Sequence, residues 1–155
     1  MLTNSAPSKE GGNSNDWQFY TIASSTNGLA EVTFHVDSLE SFLGPDTPDT
    51  PIRNASELKR FMDSKLPSEP TGTNYTTRLT EIDGRPALLS LAHTNRIPQG
   101  PSQWFCGACF FYESNSVWRK STVCAITIAA QRRETLYALT NSLNTIKVQR
   151  MPKRN

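Results

Sequence analysis

Apolar and polar residues alternate in two segments near the start of the chain, and this pattern predicts two β-strands. Residues 17–23 read WQFYTIA and residues 29–36 read LAEVTFHV, and both are rich in aromatic and β-branched residues. Asn27 and Gly28 lie between them, and both tolerate the positive φ of a tight hairpin turn. We therefore expect an antiparallel hairpin here.

Further strands are predicted in the second half of the chain. Residues 75–82 and 86–93 flank the turn signal DGR, and residues 103–112 and 117–129 flank the sequence ESNS. Residues 145–148, TIKV, are interpreted as a short closing strand. Because neighbouring strands are joined as hairpins, the predicted sheet is antiparallel.

Two segments instead show the spacing of an amphipathic helix. Asn54 is a candidate N-cap with Glu57 three residues later, close to a capping box, and an apolar stripe follows: Leu58, Phe61, Met62 and Leu66. Residues 131–143 carry a second stripe, formed by Leu136, Leu139 and Leu143. Helices of this kind bury one face against a sheet.

The order of these elements predicts an α+β fold, an antiparallel sheet of about six or seven strands with two helices packed against it. The length of 155 residues suits one core, which we place in a single domain over residues 17–150. Residues 1–16 are polar and are predicted to form a flexible leader. Residues 151–155 are predicted to form a basic tail.

A long segment between the first hairpin and the first helix reads DSLESFLGPDTPDTPIRN. Its prolines, Pro45, Pro48 and Pro51, exclude a helix or a central strand and stiffen the backbone. We predict a long, acidic and pre-organised loop.

Charge is unevenly distributed along the chain. Residues 1–70 carry ten acids and five bases, whereas residues 71–155 carry four acids and eleven bases. No Lys or Arg lies between Lys9 and Arg53, but seven acids do. This predicts an acidic surface for a charge-complementary partner, with a solvated loop region as the alternative. The basic residues are dispersed without interleaved aromatics, so no nucleic-acid partner is expected.

The segment QWFCGACFFY contains a Cys-x-x-Cys, the pattern of a redox dithiol. No helix signal follows it, and in a strand Cys106 and Cys109 point to opposite faces unless Gly107 forms a bulge. A three-residue turn in the following hairpin would place Cys124 opposite Cys106 and permit a disulfide. The alternative is that all three cysteines are buried thiols.

Motifs of catalysis or metal binding are missing from the sequence. It contains no P-loop, dinucleotide fingerprint or Gly-x-Ser-x-Gly, and His35 and His93 have no ligand-like spacing to other residues. We therefore expect a binding protein without cofactor or metal, and not an enzyme.

The EIDGRPALL hairpin, the long hairpin after it and the last helix running into SLNTIKV together resemble Mog1/PsbP-like domains. Within that group, the chain is similar to periplasmic immunity proteins that neutralise type VI secreted peptidoglycan muramidases. The resemblance implies a toxin inhibitor whose partner is the cognate peptidoglycan-hydrolase effector. It also implies a periplasmic location and, as in many such lipoproteins, a lipid anchor upstream of the polar leader.

An inhibitor of this kind needs a rigid projection that enters the substrate groove at low ordering cost. The proline-rich loop fits, and its candidate contact residues are Glu40, Phe42, Leu43, Asp46 and Asp49. Two other loops are weaker candidates and contribute Tyr75, Asn95 and Arg96. The alternatives are a secretion chaperone or an adaptor on the same fold, and a thiol enzyme that uses Cys106 and Cys109.

Overall fold

The computed structural model describes residues 2–3, 20–25, 30–65, 73–94 and 103–148. Its strands are β1 (Leu2–Thr3), β2 (Tyr20–Ser25), β3 (Ala30–Ser38), β4 (Thr73–Ile82), β5 (Arg85–Thr94), β6 (Gln103–Glu113) and β7 (Thr122–Ala130). Its helices are α1 (Leu39–Leu43), α2 (Ala55–Lys65) and α3 (Arg133–Asn141). The predicted leader, apart from Leu2–Thr3, and the predicted tail lie outside the described residues.

The strands form one sheet in the order β1-β2-β3-β7-β6-β5-β4, and every neighbouring pair is antiparallel. Five strands of nine to eleven residues, β3 to β7, make up its body. The shorter β1 and β2 continue the sheet beyond β3. The predicted α+β class with an antiparallel sheet is confirmed.

Helices cover both faces of the sheet. On one side, which we call the α3 face, Phe110, Ile126 and Ile128 pack with Leu136 of α3 and Leu143 just after it. The other side, which we call the α2 face, carries a second cluster made of Leu39, Ile52, Leu58, Leu88, Cys109 and Val123. Because both faces are covered, β7 reads as an almost continuous apolar run, TVCAITIAA.

The prediction of two helices is wrong, because a third helix opens the segment that was predicted as a loop. Ser38 caps α1 by accepting a hydrogen bond from the Ser41 N–H at 3.2 Å, and Gly44 ends it with φ +62°. The prolines restrict the backbone only from residue 44 onward, so SLESFL is free to form one helical turn first.

Two predicted strand segments are turns. Residues 117–121 precede β7: the Asn115 side chain accepts the Val117 N–H at 2.9 Å, and a 3₁₀ turn follows at Trp118–Lys120. The predicted closing strand TIKV is wrong as well, because a 3₁₀ turn at Ser142–Thr145 extends α3 and no strand covers residues 146–148.

The turn between β4 and β5 is the tight hairpin that DGR predicts. Asp83 and Gly84 both have positive φ, 52° and 72°, as a two-residue turn of this handedness requires. Ile82 and Arg85 are paired, and the register continues without interruption to Thr73 and Thr94. The β4–β5 hairpin is therefore regular along its whole length.

Candidate partner-binding surface

The segment from Leu39 to Arg53 wraps over the α2 face and is fastened to the sheet at several points. We call it the proline loop. At its start, Leu39 is fully buried and its N–H donates to the Ser121 carbonyl at 2.8 Å. At its end, Ile52 is buried in the cluster of the α2 face. Both ends are thus held by core contacts.

The middle of the proline loop is held by side-chain hydrogen bonds. The Thr47 hydroxyl donates to the Gly44 carbonyl at 2.6 Å. The Arg119 guanidinium donates to the Pro48 carbonyl at 3.1 Å, across 71 positions of sequence. Together with three prolines, these bonds leave little conformational entropy to lose on binding. The pre-organised loop predicted from the prolines is present.

Phe42 and Leu43 have a packing role that the sequence did not predict. Both are half-buried and pack against the cluster of the α2 face, beside Phe61, Met62 and Trp118. Their apolar surface therefore anchors the proline loop to the domain. Both stay predicted contacts for a partner, through the edges of their side chains that remain exposed.

The three acids of the proline loop, Glu40, Asp46 and Asp49, are exposed. Asp46 Oδ1 lies 3.9 Å from Lys65 Nζ, and Asp49 Oδ1 lies 3.5 Å from Arg119 Nη2. Solvent-exposed pairs of this kind contribute at most about 1 kcal/mol to stability. The expected acidic surface is therefore a mixed one, since tertiary contacts bring cations to the acids.

Of the remaining predicted contacts, Tyr75 is the one that lies in the described part of the chain. Tyr75 is half-buried on β4, on the α2 face. Thr77 lies two residues after Tyr75 on β4, and its hydroxyl donates to the Asp63 carboxylate of α2. Lys65, the last residue of α2, approaches Asp46 of the proline loop. Asn95 and Arg96 lie outside the described residues.

Sequence reasoning missed Arg119 as the residue that holds the proline loop. It lies in the 3₁₀ turn before β7, and its guanidinium also lies over the Trp118 ring, 5.2 Å from the centroid. No local pattern links Arg119 to Pro48 or Asp49, so only the folded chain shows this contact.

The three cysteines are buried free thiols. Cys106 belongs to the core of the α3 face and Cys109 to that of the α2 face, as strand alternation predicts. Cys106 pairs across the sheet with Ile128, and Cys124 with Phe110. The Cys106–Cys124 disulfide is therefore not formed, because residues 114–121 make a longer turn than the three residues it needed.

Burial also makes these thiols poor nucleophiles. It raises the pKa of Cys124 to about 11 and raises the pKa of Cys109 still further. The pKa of Cys106 is also raised by burial, against a smaller opposing effect of the Thr140 hydroxyl. Thiolates are the reactive form, so this arrangement does not favour redox chemistry.

The histidines occupy structural positions on strands. Burial lowers the pKa of His35 on β3, against a smaller opposing effect of Asp37. The His93 ring stacks on Trp104 with centroids 3.9 Å apart. In the described part of the chain, no group of three or more His, Cys, Asp or Glu side chains is arranged to hold a metal ion.

No protein-family model and no curated protein matches this chain. Among the described residues, no helix is long and apolar enough to cross a membrane.

Proposed function

We propose that this chain is an immunity protein that binds a type VI secreted peptidoglycan muramidase and blocks its substrate groove. The observation that supports this most is the proline loop, which presents three exposed acids yet is fastened at both ends and in its middle. Such a projection binds at low ordering cost. The resemblance to Mog1/PsbP-like domains, and with it a periplasmic location, belongs to the same proposal.

The charges of the proline loop determine where in the groove it would bind. Muramidases cleave glycans with a pair of carboxylates. Glu40, Asp46 and Asp49 would be repelled by that pair, so they are expected to contact basic residues at the rim of the groove or a cation held between the two proteins. The half-buried Phe42 and Leu43 keep the loop in position while these polar contacts form.

Inhibition would then follow from steric exclusion. A glycan strand and the proline loop cannot occupy one groove together, and no chemical step by this chain is needed. The chain acts by occupancy, so one molecule inactivates one molecule of toxin.

The experiment that tests this proposal is co-purification from a lysate of the native bacterium, with mass spectrometry of the proteins retained after a salt wash. We expect a peptidoglycan hydrolase in about equal amount, and we expect the purified chain to abolish its activity at an equimolar ratio. Retention of a hydrolase that stays fully active when saturated would contradict the proposal. Retention of unrelated clients in place of a hydrolase would favour a chaperone.

The chaperone or adaptor alternative receives little support from the surface. In the described part of the chain, the exposed large apolar residues are Leu79, Val117 and Tyr137, which lie on β4, in the turn before β7 and on α3. A chaperone that holds apolar clients needs one contiguous apolar patch. The thiol-enzyme alternative needs the sulfurs of Cys106 and Cys109 side by side, whereas the two residues face opposite sides of the sheet.

A further inference from the structure

A polar cleft of about 390 Å³ lies on the α3 face, between strand β4 and the end of α3. We call it the β4–α3 cleft. Its floor includes the apolar side chains of Leu89 and Leu143, which are buried. Its walls are polar, and the residues that line them include Arg78, Thr140, Asn141, Asn144 and Lys147. A cleft of this volume is large enough for a small ligand or the end of a peptide.

Positively charged side chains outnumber negatively charged ones around the cleft. Glu81 is among its lining residues, but alternation along β4 places the Glu81 side chain on the α2 face, opposite to Arg78. Only Asp83 then contributes an acidic side chain, against the two cations Arg78 and Lys147. The side chains in the cleft therefore carry a net positive charge.

The Asp83 carboxylate is already engaged by its neighbours. It accepts a hydrogen bond from the Val148 N–H at 3.1 Å and pairs with Arg85 at 3.0 Å and Lys147 at 3.4 Å. The Val148 N–H is the main reason that the pKa of Asp83 is lowered. Asp83 thus holds the segment after α3 against the β4–β5 turn and takes Lys147 as a partner.

Arg78 is the cation that remains. Among the described residues, no carboxylate lies within ion-pair distance of the Arg78 guanidinium. Asp83 is on the same side of the sheet, but its ion pairs are with Arg85 and Lys147. The charge of Arg78 also acts on Cys106, where it opposes the effect of burial on the thiol pKa. Because Arg78 lines the cleft and has no carboxylate partner among the described residues, its guanidinium is available to an anion there.

We propose that the β4–α3 cleft binds a carboxylate, with the planar fork of Arg78 as the principal donor and the amides of Asn141 and Asn144 as secondary donors. A guanidinium matches a carboxylate with two parallel hydrogen bonds. A doubly charged phosphate is less suited than a singly charged carboxylate, because the cleft borders the C-terminal end of α3, whose partial negative charge opposes an anion in proportion to the charge of that anion.

The test is an NMR titration of the full chain with N-acetylglycine, at constant ionic strength so that non-specific attraction is screened equally throughout. We expect saturable shifts of the amides of residues 78–84 and 140–147, with a dissociation constant of order 1 mM for so small a ligand. N-acetylglycinamide, which differs only in lacking the charge, is expected to bind at least tenfold more weakly. Equal binding of the two probes, or no saturable shift, would overturn the proposal.

Two variants make the assignment specific. Arg78→Gln should weaken N-acetylglycine binding at least tenfold, whereas Arg60→Gln, which removes an exposed arginine of α2, should leave it unchanged. Equal losses in the two variants would show that only general charge matters and would overturn the proposal. Acetate and N-acetyltriglycine distinguish the sources: similar affinities indicate a free acid, and a tenfold gain for the peptide indicates a chain terminus.

The cleft and the proline loop lie on opposite faces of the sheet, so the two proposals fail independently. Charge reversal at Asp46 and Asp49 should leave binding of N-acetylglycine unchanged.

Discussion

At the scale of single residues, the direction of a side chain decides what the cysteines can do. Cys106 and Cys109 are three positions apart on β6 and enter two different cores. Gly107, between them, forms no bulge: it stays in register with Ser90 and Thr127, and a Cβ there would meet the Ser90 Oγ at 2.9 Å. The strand is therefore regular from Cys106 to Cys109, which keeps the two sulfurs on opposite faces; the pairing of β6 with β7 shifts register only later, between Phe111 and Glu113.

We expect the double variant Cys106→Ser/Cys109→Ser to bind its partner as the parent chain does. Each substitution places a hydroxyl in an apolar site and should lower the free energy of unfolding by about 1–3 kcal/mol. Denaturant unfolding and partner affinity measure the two effects separately. Should the double serine variant not fold, Cys106→Ala/Cys109→Ala keeps the sites apolar; lost binding in either folded variant would contradict our interpretation.

The buried hydroxyl of Thr140 is unfavourable for the stability of the fold. It is 6 % exposed, and its hydroxyl oxygen has no hydrogen-bond partner of ordinary geometry among the described residues. Its interaction with the Cys106 thiol, which lowers the pKa of that group, is too weak to compensate for lost water.

Thr140→Val should therefore raise the free energy of unfolding by roughly 1 kcal/mol, since a methyl replaces an unsatisfied hydroxyl of the same shape. Thr145→Val is the control, because the Thr145 hydroxyl donates to the Ser142 carbonyl at 2.7 Å and its loss should destabilise the chain. Thermal unfolding compares the two variants. A lower melting temperature for Thr140→Val would mean that the hydroxyl is satisfied in solution.

At the scale of elements, the start of α2 shows local sequence acting as expected. The Asn54 side chain accepts the Glu57 N–H at 2.9 Å, and the Glu57 carboxylate accepts the Arg53 N–H at 2.7 Å. These two bonds satisfy backbone donors that the helix cannot satisfy itself. Because they involve only neighbours, the sequence was sufficient to predict them.

Asn54→Ala should destabilise the domain by about 1 kcal/mol through loss of this cap. Ser56→Ala is a matched control on the exposed side of the same helix, where alanine is the better helix former and stability should rise slightly. Urea denaturation of both variants gives the comparison. Similar stabilities for Asn54→Ala and the parent would show that tertiary packing alone positions α2.

The short helix α1 shows the limit of local reasoning. Ser38 and Gly44 are good caps, but a helix of five residues is not stable alone. Its stability comes from Leu39, buried in the cluster of the α2 face, and from the bond to the Ser121 carbonyl. Those partners are distant in sequence, so the pattern SLESFL could not predict the helix.

At the scale of the whole molecule, the sheet separates two surfaces. The proline loop and α2 cover one face, and α3 with the β4–α3 cleft covers the other. Arg119 joins the proline loop to the turn before β7, and Asp83 joins the segment after α3 to the β4–β5 turn. Long-range polar contacts therefore fasten both surfaces, and the contacts on one face share no residue with those on the other.

Replacing Asp46 and Asp49 together with lysine should weaken binding to the muramidase partner by at least tenfold, because four units of charge change at the proposed contact. The fold should be kept, since both acids are exposed and their ion pairs are weak. The variant Glu113→Lys/Glu134→Lys changes the net charge equally at other exposed positions and should bind normally. Calorimetric titration with the muramidase measures the affinity of both double variants. Unchanged affinity of the folded Asp46/Asp49 variant would exclude the proline loop as the contact.

Features that depend on neighbouring residues could be predicted from the chain alone. Alternation predicted β3 to β6, Asp83-Gly84 predicted the hairpin turn, and helical spacing with Asn54 predicted α2. The opposite directions of Cys106 and Cys109 also followed from the pleat of one strand. These features are local because backbone geometry and side-chain direction repeat over two to four residues.

Features that join distant segments could be seen only in the folded chain. The register of β6 and β7 separated Cys106 from Cys124, packing turned Phe42 and Leu43 inward, and Arg119 came to hold the proline loop. The cleft beside Arg78 exists because α3 packs on β6 and β7 and the 3₁₀ turn that follows it, Ser142–Thr145, reaches β4. Such contacts depend on how whole elements pack, and no short pattern in the chain encodes which residues 70 positions apart will meet.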